Sequence, residues 1–241
     1  VVNPTPYYFD NTGVAKAQYT GFIPSNQSGS FGNAVGTIAT NGQYYDQITD
    51  GNRAQGIPSG SYSNMVSLLS NYDDYKFNVM LTPGLYNTDY TGQIGNLITI
   101  AQNRGDFIYV IDPVAYGGDV SAAVTQASSR NTSYGAMYWP WVQVVEPSTG
   151  ELVWVPASTM IGGVYAYNDA VAEPWFAPAG INRGGLSTVV RAERKLSQSD
   201  RDTLYTGKIN PIATFPGVGV VVYGQKTLQT KASALDRVNV R

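Results

Sequence analysis

The stretch FIYVIDPVAYGGDVSAAVTQASSRNTSYGAMY, residues 107–138, decides the fold. Phe107 to Ile111 is a continuous apolar run of strand length, closed by Asp112-Pro113. Asp119 then stands where a helix N-cap belongs, and Val120, Ala123, Val124 and Ala127 follow at helical spacing. Tyr134 to Tyr138 is a second apolar run. Two strands without polar alternation, joined by a helix, predict a buried parallel pair with a crossover. The unit before it has the same grammar. Tyr75, Phe77, Val79 and Leu81 alternate as in a strand that ends at Pro83-Gly84. Ile94, Leu97, Ile98 and Ala101 follow at i, i+3, i+4 and i+7, and Gly105 occupies a C′ position. Strand, helix, strand, helix, strand predicts an α/β fold class with α+β elements. Its core is a βαβ-type sheet with right-handed crossovers.

Downstream, Val142 to Val145 and Leu152 to Val155 flank Pro147-Ser148-Thr149-Gly150, a hairpin signal. Ser158 reads as the cap of a helix over Met160, Ile161, Val164 and Val171. Its Gly162-Gly163 would cost about 1 kcal/mol per glycine unless something packs closely there. Leu186 to Val190 reads as a strand, Ser197-x-x-Asp200 as a capping box for a helix ending near Gly207, and Val218 to Tyr223 as a last buried strand. Upstream, residues 1–60 are dominated by turn formers such as Asn11-Thr12-Gly13, Asn41-Gly42 and Pro58-Ser59-Gly60. Short strands are expected there, and Ser61 can cap a helix presenting Tyr62, Met65, Val66 and Leu69. The expected organisation is a β/loop-rich outer domain, or part of one, over 1–74 and an α/β core over 75–241. A start at Val1-Val2-Asn3 and a stop at Arg241 read as a fragment of a longer chain.

Composition narrows the chemistry. The 241 residues include no Cys and no His, which removes thiolate sites, disulfides and the Ser-His-Asp triad. Only 13% are charged, and the net charge of −2 hides an asymmetry. Residues 1–180 hold 5 Lys/Arg against 13 Asp/Glu, whereas 181–241 hold 10 against 4. Opposite poles suit head-to-tail association or pairing within the fold. No run approaches the roughly 18 apolar residues of a membrane span. Asp112, with Asp106 and Asp119 nearby, lies at a strand end where α/β folds place ligands, but the same residues suit a strand terminator and a helix cap. Asp73-Asp74 are adjacent and point apart in extended chain. Gly217-Val218-Gly219 precedes a strand rather than following one, which makes it a turn and not a phosphate loop. The basic run Arg191 to Lys195 has no supporting basic face for nucleic acid and reads as solvated or subunit-facing. The aromatic groups Tyr138-Trp139-Pro140-Trp141 and Trp175-Phe176 suit a stacking platform, or core and interface anchors.

The last third of the chain carries a resemblance. WFAPAGINRGGL (175–186), INPIATFPGVGVVVYGQKTL (209–228) and DRVNVR (236–241), in this order, resemble the tail sheath family of contractile bacteriophages. The units over 75–172 are similar in layout to the family's middle domain, so the resemblance covers 75–241. Tyr223 stands where many members have Trp, Lys226 where many have Arg, and the region that normally follows the closing motif is absent. The resemblance implies a structural subunit, not an enzyme, that needs no cofactor or metal. It would polymerise around the tail tube and contract by rigid-body rearrangement to drive the tube through the host envelope. Implied partners are further copies of itself in a helical homopolymer, the tail tube, the baseplate and the tail terminator, with no nucleic acid and no membrane. The implied place is the virion, after assembly in the host cytoplasm, and the fragment alone would be a monomer. Within the motifs, Trp175 is expected to pack the loop, Pro178 and Gly180 to shape it, and Arg183 to pair with a carboxylate or carbonyls. Gly184, Asn210, Gly219, Gly224, Thr227, Arg237, Asn239 and Arg241 are expected in structural roles, and Arg191, Arg194 and Lys195 in subunit contacts. Two other readings stay open: an adhesion or carbohydrate-binding module built on residues 1–60, and a hydrolase using Asp112 with other carboxylates and a divalent metal.

Overall fold

Apolar runs that cannot face water on either side need a covered sheet, and the computed structural model, which describes residues 59–240, supplies one. The chain divides into two units, Val1–Asn71 and Tyr72–Arg241. In the first, helix α1 spans Ser59–Leu69. The short strands expected over residues 1–58 lie outside the described residues.

The second unit runs β1 (Val79–Tyr86), α2 (Thr91–Arg104), β2 (Ile108–Asp112), α3 (Val120–Ser128) and β3 (Gly135–Trp139). After these come β4 (Val142–Val145), β5 (Leu152–Val155), α4 (Ser158–Val171), β6 (Val189–Ala192), α5 (Gln198–Thr206), β7 (Ile209–Phe215) and β8 (Gly219–Val222). A five-stranded sheet has the order β1-β2-β3-β7-β8, in which β1, β2, β3 and β7 are parallel and β8 returns antiparallel. A second sheet, β5-β4-β6, is antiparallel.

The local signals explain these elements. Gly105 takes φ 70° and donates its N–H to Ala101, which ends α2. Asp119 accepts from the Ala122 amide at 2.7 Å and starts α3. Ser197 and Asp200 form the reciprocal capping box of α5. All five residues of β2 and all five of β3 are buried. One sheet face, with Ile108, Val110, Ala136 and Tyr138, packs against Ile161, Val164 and Tyr165 of α4. Strand alternation turns Tyr109, Ile111 and Met137 to the opposite face.

Ser61, expected to cap α1, lies inside a helix that starts at Ser59. Four further expectations need correction. First, β1 does not span Tyr75 to Leu81; it begins at Val79 and continues through Pro83-Gly84. It is a sheet edge, where a residue without an N–H is tolerated, and its register slips between Leu81 and Tyr86. Second, Ser158 does not cap α4. It is the first helical residue, and its hydroxyl is drawn to Asp112. Third, Val171 is exposed rather than part of the buried face of α4. Fourth, the strand read over Leu186 to Val190 shifts to Val189–Ala192, because Gly185 and Leu186 pair with β8 instead. Of the two glycines in α4, Gly162 has its close neighbour: a Cβ there would lie 2.8 Å from Leu81 Cδ1, whereas one on Gly163 would meet nothing within 4 Å.

Candidate functional site

The three motif segments, far apart in sequence, meet at the β7–β8 end of the sheet. The 175–186 loop docks on the free edge of β8 through its backbone. Gly180 N–H donates to Val222 O at 2.8 Å, Val222 N–H to Gly184 O at 2.7 Å and Leu186 N–H to Val220 O at 2.9 Å. Gly180 needs its φ of 83°, and a Cβ on Gly184 would sit 2.6 Å from Val222 O and 2.8 Å from Gly180 N. Arg183 donates through Nε to Ala177 O at 3.2 Å and stacks 4.8 Å from the Phe176 ring centroid. Trp175 departs from expectation. The residue is 65% exposed, so it does not pack the loop. Its backbone is engaged among the described residues, with Trp175 O accepting from Asn239 Nδ2 at 3.0 Å.

Asn210 ties the second segment to the third. Fully buried, it donates to Met137 O at 3.1 Å and Lys226 O at 2.8 Å, and accepts from Lys226 N–H at 2.6 Å. Gly224 lies so close that a Cβ would be 2.8 Å from Asn210 Oδ1. Thr227 donates its hydroxyl to Leu235 O at 2.8 Å and its amide to Asp236 O at 3.0 Å. Arg237 pairs with Asp236, and its strand position bridges Lys226. Gly219, at φ 97°, forms the β7–β8 turn with Gly217, and Pro178 lies within the docked loop. Arg241 lies outside the described residues. Lys226 projects 4.5 Å over the Tyr205 ring, and burial, with Lys208 and Arg237 nearby, holds its pKa below the usual lysine value.

The basic run is not uniform. Arg191 donates through Nε to Gln143 Oε1 at 2.8 Å and lies 5.3 Å from the Trp154 ring centroid. Arg194 donates to Gly117 O at 3.1 Å and approaches the Trp139 ring. Lys195 is exposed. Beside them runs an aromatic row along the strand ends, with centroid separations of 5.6 Å for Tyr86–Trp141, 5.7 Å for Trp141–Tyr116 and 5.3 Å for Tyr116–Trp154. Sequence reasoning missed Gln143 and Trp154, which reach this row only through the register of β4 with its two neighbours.

The carboxylates do not converge. Asp106 pairs with Arg104 at 2.6 Å, and that hydrogen bond holds its pKa below the usual range. Asp119 caps α3. Asp112, buried, accepts from the Ser158 amide at 3.0 Å and hydroxyl at 2.6 Å, and burial pushes its carboxyl up to about 7. Among the described residues no group of three acidic side chains could hold a metal. No described helix is long and apolar enough to cross a membrane.

The family model for the phage tail sheath protein central domain matches residues 57–228. The chain belongs to the phage tail sheath family. Among curated sheath relatives, the tail sheath protein of Salmonella phage ViI is 33% identical over 153 residues, covering 60% of this chain and 24% of that protein. The tail sheath protein of Vibrio phage KVP40 is 49% identical over 88 residues, covering 36% of this chain and 13% of that protein. The chain thus spans at most about a quarter of the curated sheath proteins it matches. Solved structures share this fold, among them two from contractile assemblies. The anti-feeding prophage baseplate gives a TM-score of 0.60 at 22% identity, covering 76% of this chain and 47% of that chain. The sheath complex of an extracellular contractile injection system, in its contracted state, gives 0.59 at 20%, covering 73% and 47%.

Proposed function

We propose that this chain is the central part of a structural, non-enzymatic sheath subunit. In the complete protein it polymerises helically with its own copies around a tail tube, and it contracts by rigid-body rearrangement between two lattices. The observation that carries the reading is the family match over residues 57–228, which takes in the 175–186 loop and the Asn210 clasp. A clasp built from three distant segments makes a stiff block, and a contracting lattice needs stiff blocks that repack rather than deform. Small contact energies suffice. A preference of ~1 kcal/mol per subunit, the size of one exposed ion pair, sums to ~100 kcal/mol over on the order of a hundred subunits. The baseplate, the tail tube and the tail terminator are the further partners this reading names, the virion tail is its place, and the host cytoplasm is where it assembles. The 241-residue chain alone is a monomer on this view.

The test is electron microscopy of the complete protein expressed alone, with light scattering on the 241-residue chain. Helical tubes from the complete protein and a monomeric shorter chain are expected. A complete protein that remains monomeric, or closes into small rings, overturns the reading.

A further inference from the structure

Arg191, Gln143 and Trp154 occupy one row across the small antiparallel sheet: Gln143 of β4 stands directly opposite Trp154 of β5 on one side and Arg191 of β6 on the other. Directly paired residues share a sheet face. The Arg191 side chain lies back over Gln143, which is only 6% exposed, and reaches the Trp154 ring at 5.3 Å. Its Nε is committed to Gln143 Oε1 at 2.8 Å. The Tyr116 ring also packs on Trp154, at 5.3 Å.

The consequence is a guanidinium whose plane is set while its two terminal amino groups make no hydrogen bond to any described residue. Among the described residues no carboxylate lies within ion-pair distance of it. The neighbouring Arg194 is spent differently, on Gly117 O and beside Glu193. An arginine normally loses side-chain freedom when it binds. One already clamped by an amide and an aromatic face has lost that freedom in advance, and its outward fork fits both oxygens of a carboxylate.

We propose that Arg191 is a pre-positioned carboxylate receptor at a subunit contact, and that its occupant is an Asp or Glu side chain from the acidic part of a second copy of this chain. Charge complementarity selects that occupant: residues 1–180 carry 13 acidic against 5 basic side chains, while the receptor belongs to the segment with 10 basic against 4 acidic. A site in one segment that takes a group from the other can join copies head to tail, and such a contact builds a filament where its rotation does not close into a ring. Gln143 and Trp154 are positioning residues for the fork. The inference rests on the reading of the chain as part of a self-polymerising sheath subunit.

The experiment compares the complete protein with its Arg191→Lys, Arg191→Glu and Gln143→Ala variants. It measures the protein concentration at which tubes form, by sedimentation and electron microscopy, and checks folding by circular dichroism. Arg191→Lys keeps the charge but loses the fork and the stack, and should raise the assembly threshold on the order of tenfold. Arg191→Glu should raise it further, and Gln143→Ala should raise it while leaving the charge intact. Folded Arg191→Lys and Arg191→Glu proteins that assemble at the wild-type threshold overturn the receptor and leave the sheath reading standing. Arg191→Glu tubes that form normally but no longer join a baseplate assign the fork to a different partner and likewise overturn it. A wild-type protein that never polymerises overturns both.

Discussion

At residue scale, the motif glycines act through backbone access, and Asn210 through the hydrogen bonds of its side chain. Gly184 is the clearest case. A Cβ there would press on Val222 O, Gly180 N and Ala179 Cα, all backbone atoms that cannot swing aside. Gly184→Ala should therefore destabilise the fold by about 2–3 kcal/mol, comparable to overpacking a core, as read by urea unfolding. Asn210 makes three hydrogen bonds in full burial, and truncation would leave the Met137 and Lys226 carbonyls without their donor. Asn210→Ala should cost about 2–4 kcal/mol by the same measurement. Asn210→Asp should do no better, because a carboxylate cannot donate to two carbonyls. The sequence marks both residues as members of a motif. It does not show that Trp175, the bulkiest residue there, stays largely exposed while its carbonyl does the holding.

At element scale, α2, α3 and α5 declare their ends in the sequence, because a C′ glycine, an aspartate N-cap and a capping box act within a few residues. Ser197→Ala should cost about 1 kcal/mol of stability in thermal melts. The start of α4 was not legible in the same way. Its first residue is bound by Asp112, 46 positions earlier, and that pairing exists only once β2 and α4 are packed. The burial of Asp112 at this contact makes stability depend on pH, with the two Ser158 hydrogen bonds pulling the other way. With its carboxyl raised to about 7 by burial, Asp112 holds a proton in the folded state that the unfolded chain has released above about pH 4. Its contribution is therefore full below about pH 4 and falls by about 1.4 kcal/mol per pH unit until about pH 7. Unfolding free energy should decline between pH 5 and 7, and Asp112→Asn should flatten that slope. Carboxylates held below their usual range, such as Asp106 and Asp200, act at lower pH and leave this window clear.

At the scale of the whole molecule, the proposed assembly gives the charge polarity of the sequence a measurable consequence. If contacts join the acidic and basic poles, raising salt from about 0.05 to 0.5 M shortens the screening length from ~14 to ~4 Å, and tubes of the complete protein should dissociate or fail to form. Sedimentation at graded ionic strength reads this directly, and salt-insensitive tubes would place the assembly energy in apolar contacts. Exposed apolar groups such as Tyr167, Ile181 and Val218 are where such contacts would then be sought.

By itself, the sequence determined the parallel βαβ core, the hairpin, the capped ends of α2, α3 and α5 and the family, because each is written in short periods or in motifs a few residues long. Tertiary structure alone decided that β1 continues through Pro83-Gly84, that Ser158 answers to Asp112, and that the 175–186 loop covers the edge of β8. It also decided which member of the basic run is clamped and outward-facing. Those facts depend on strand register and on contacts between segments tens of residues apart, and such contacts carry no local signature because the energy that selects them arises only when the sheet closes.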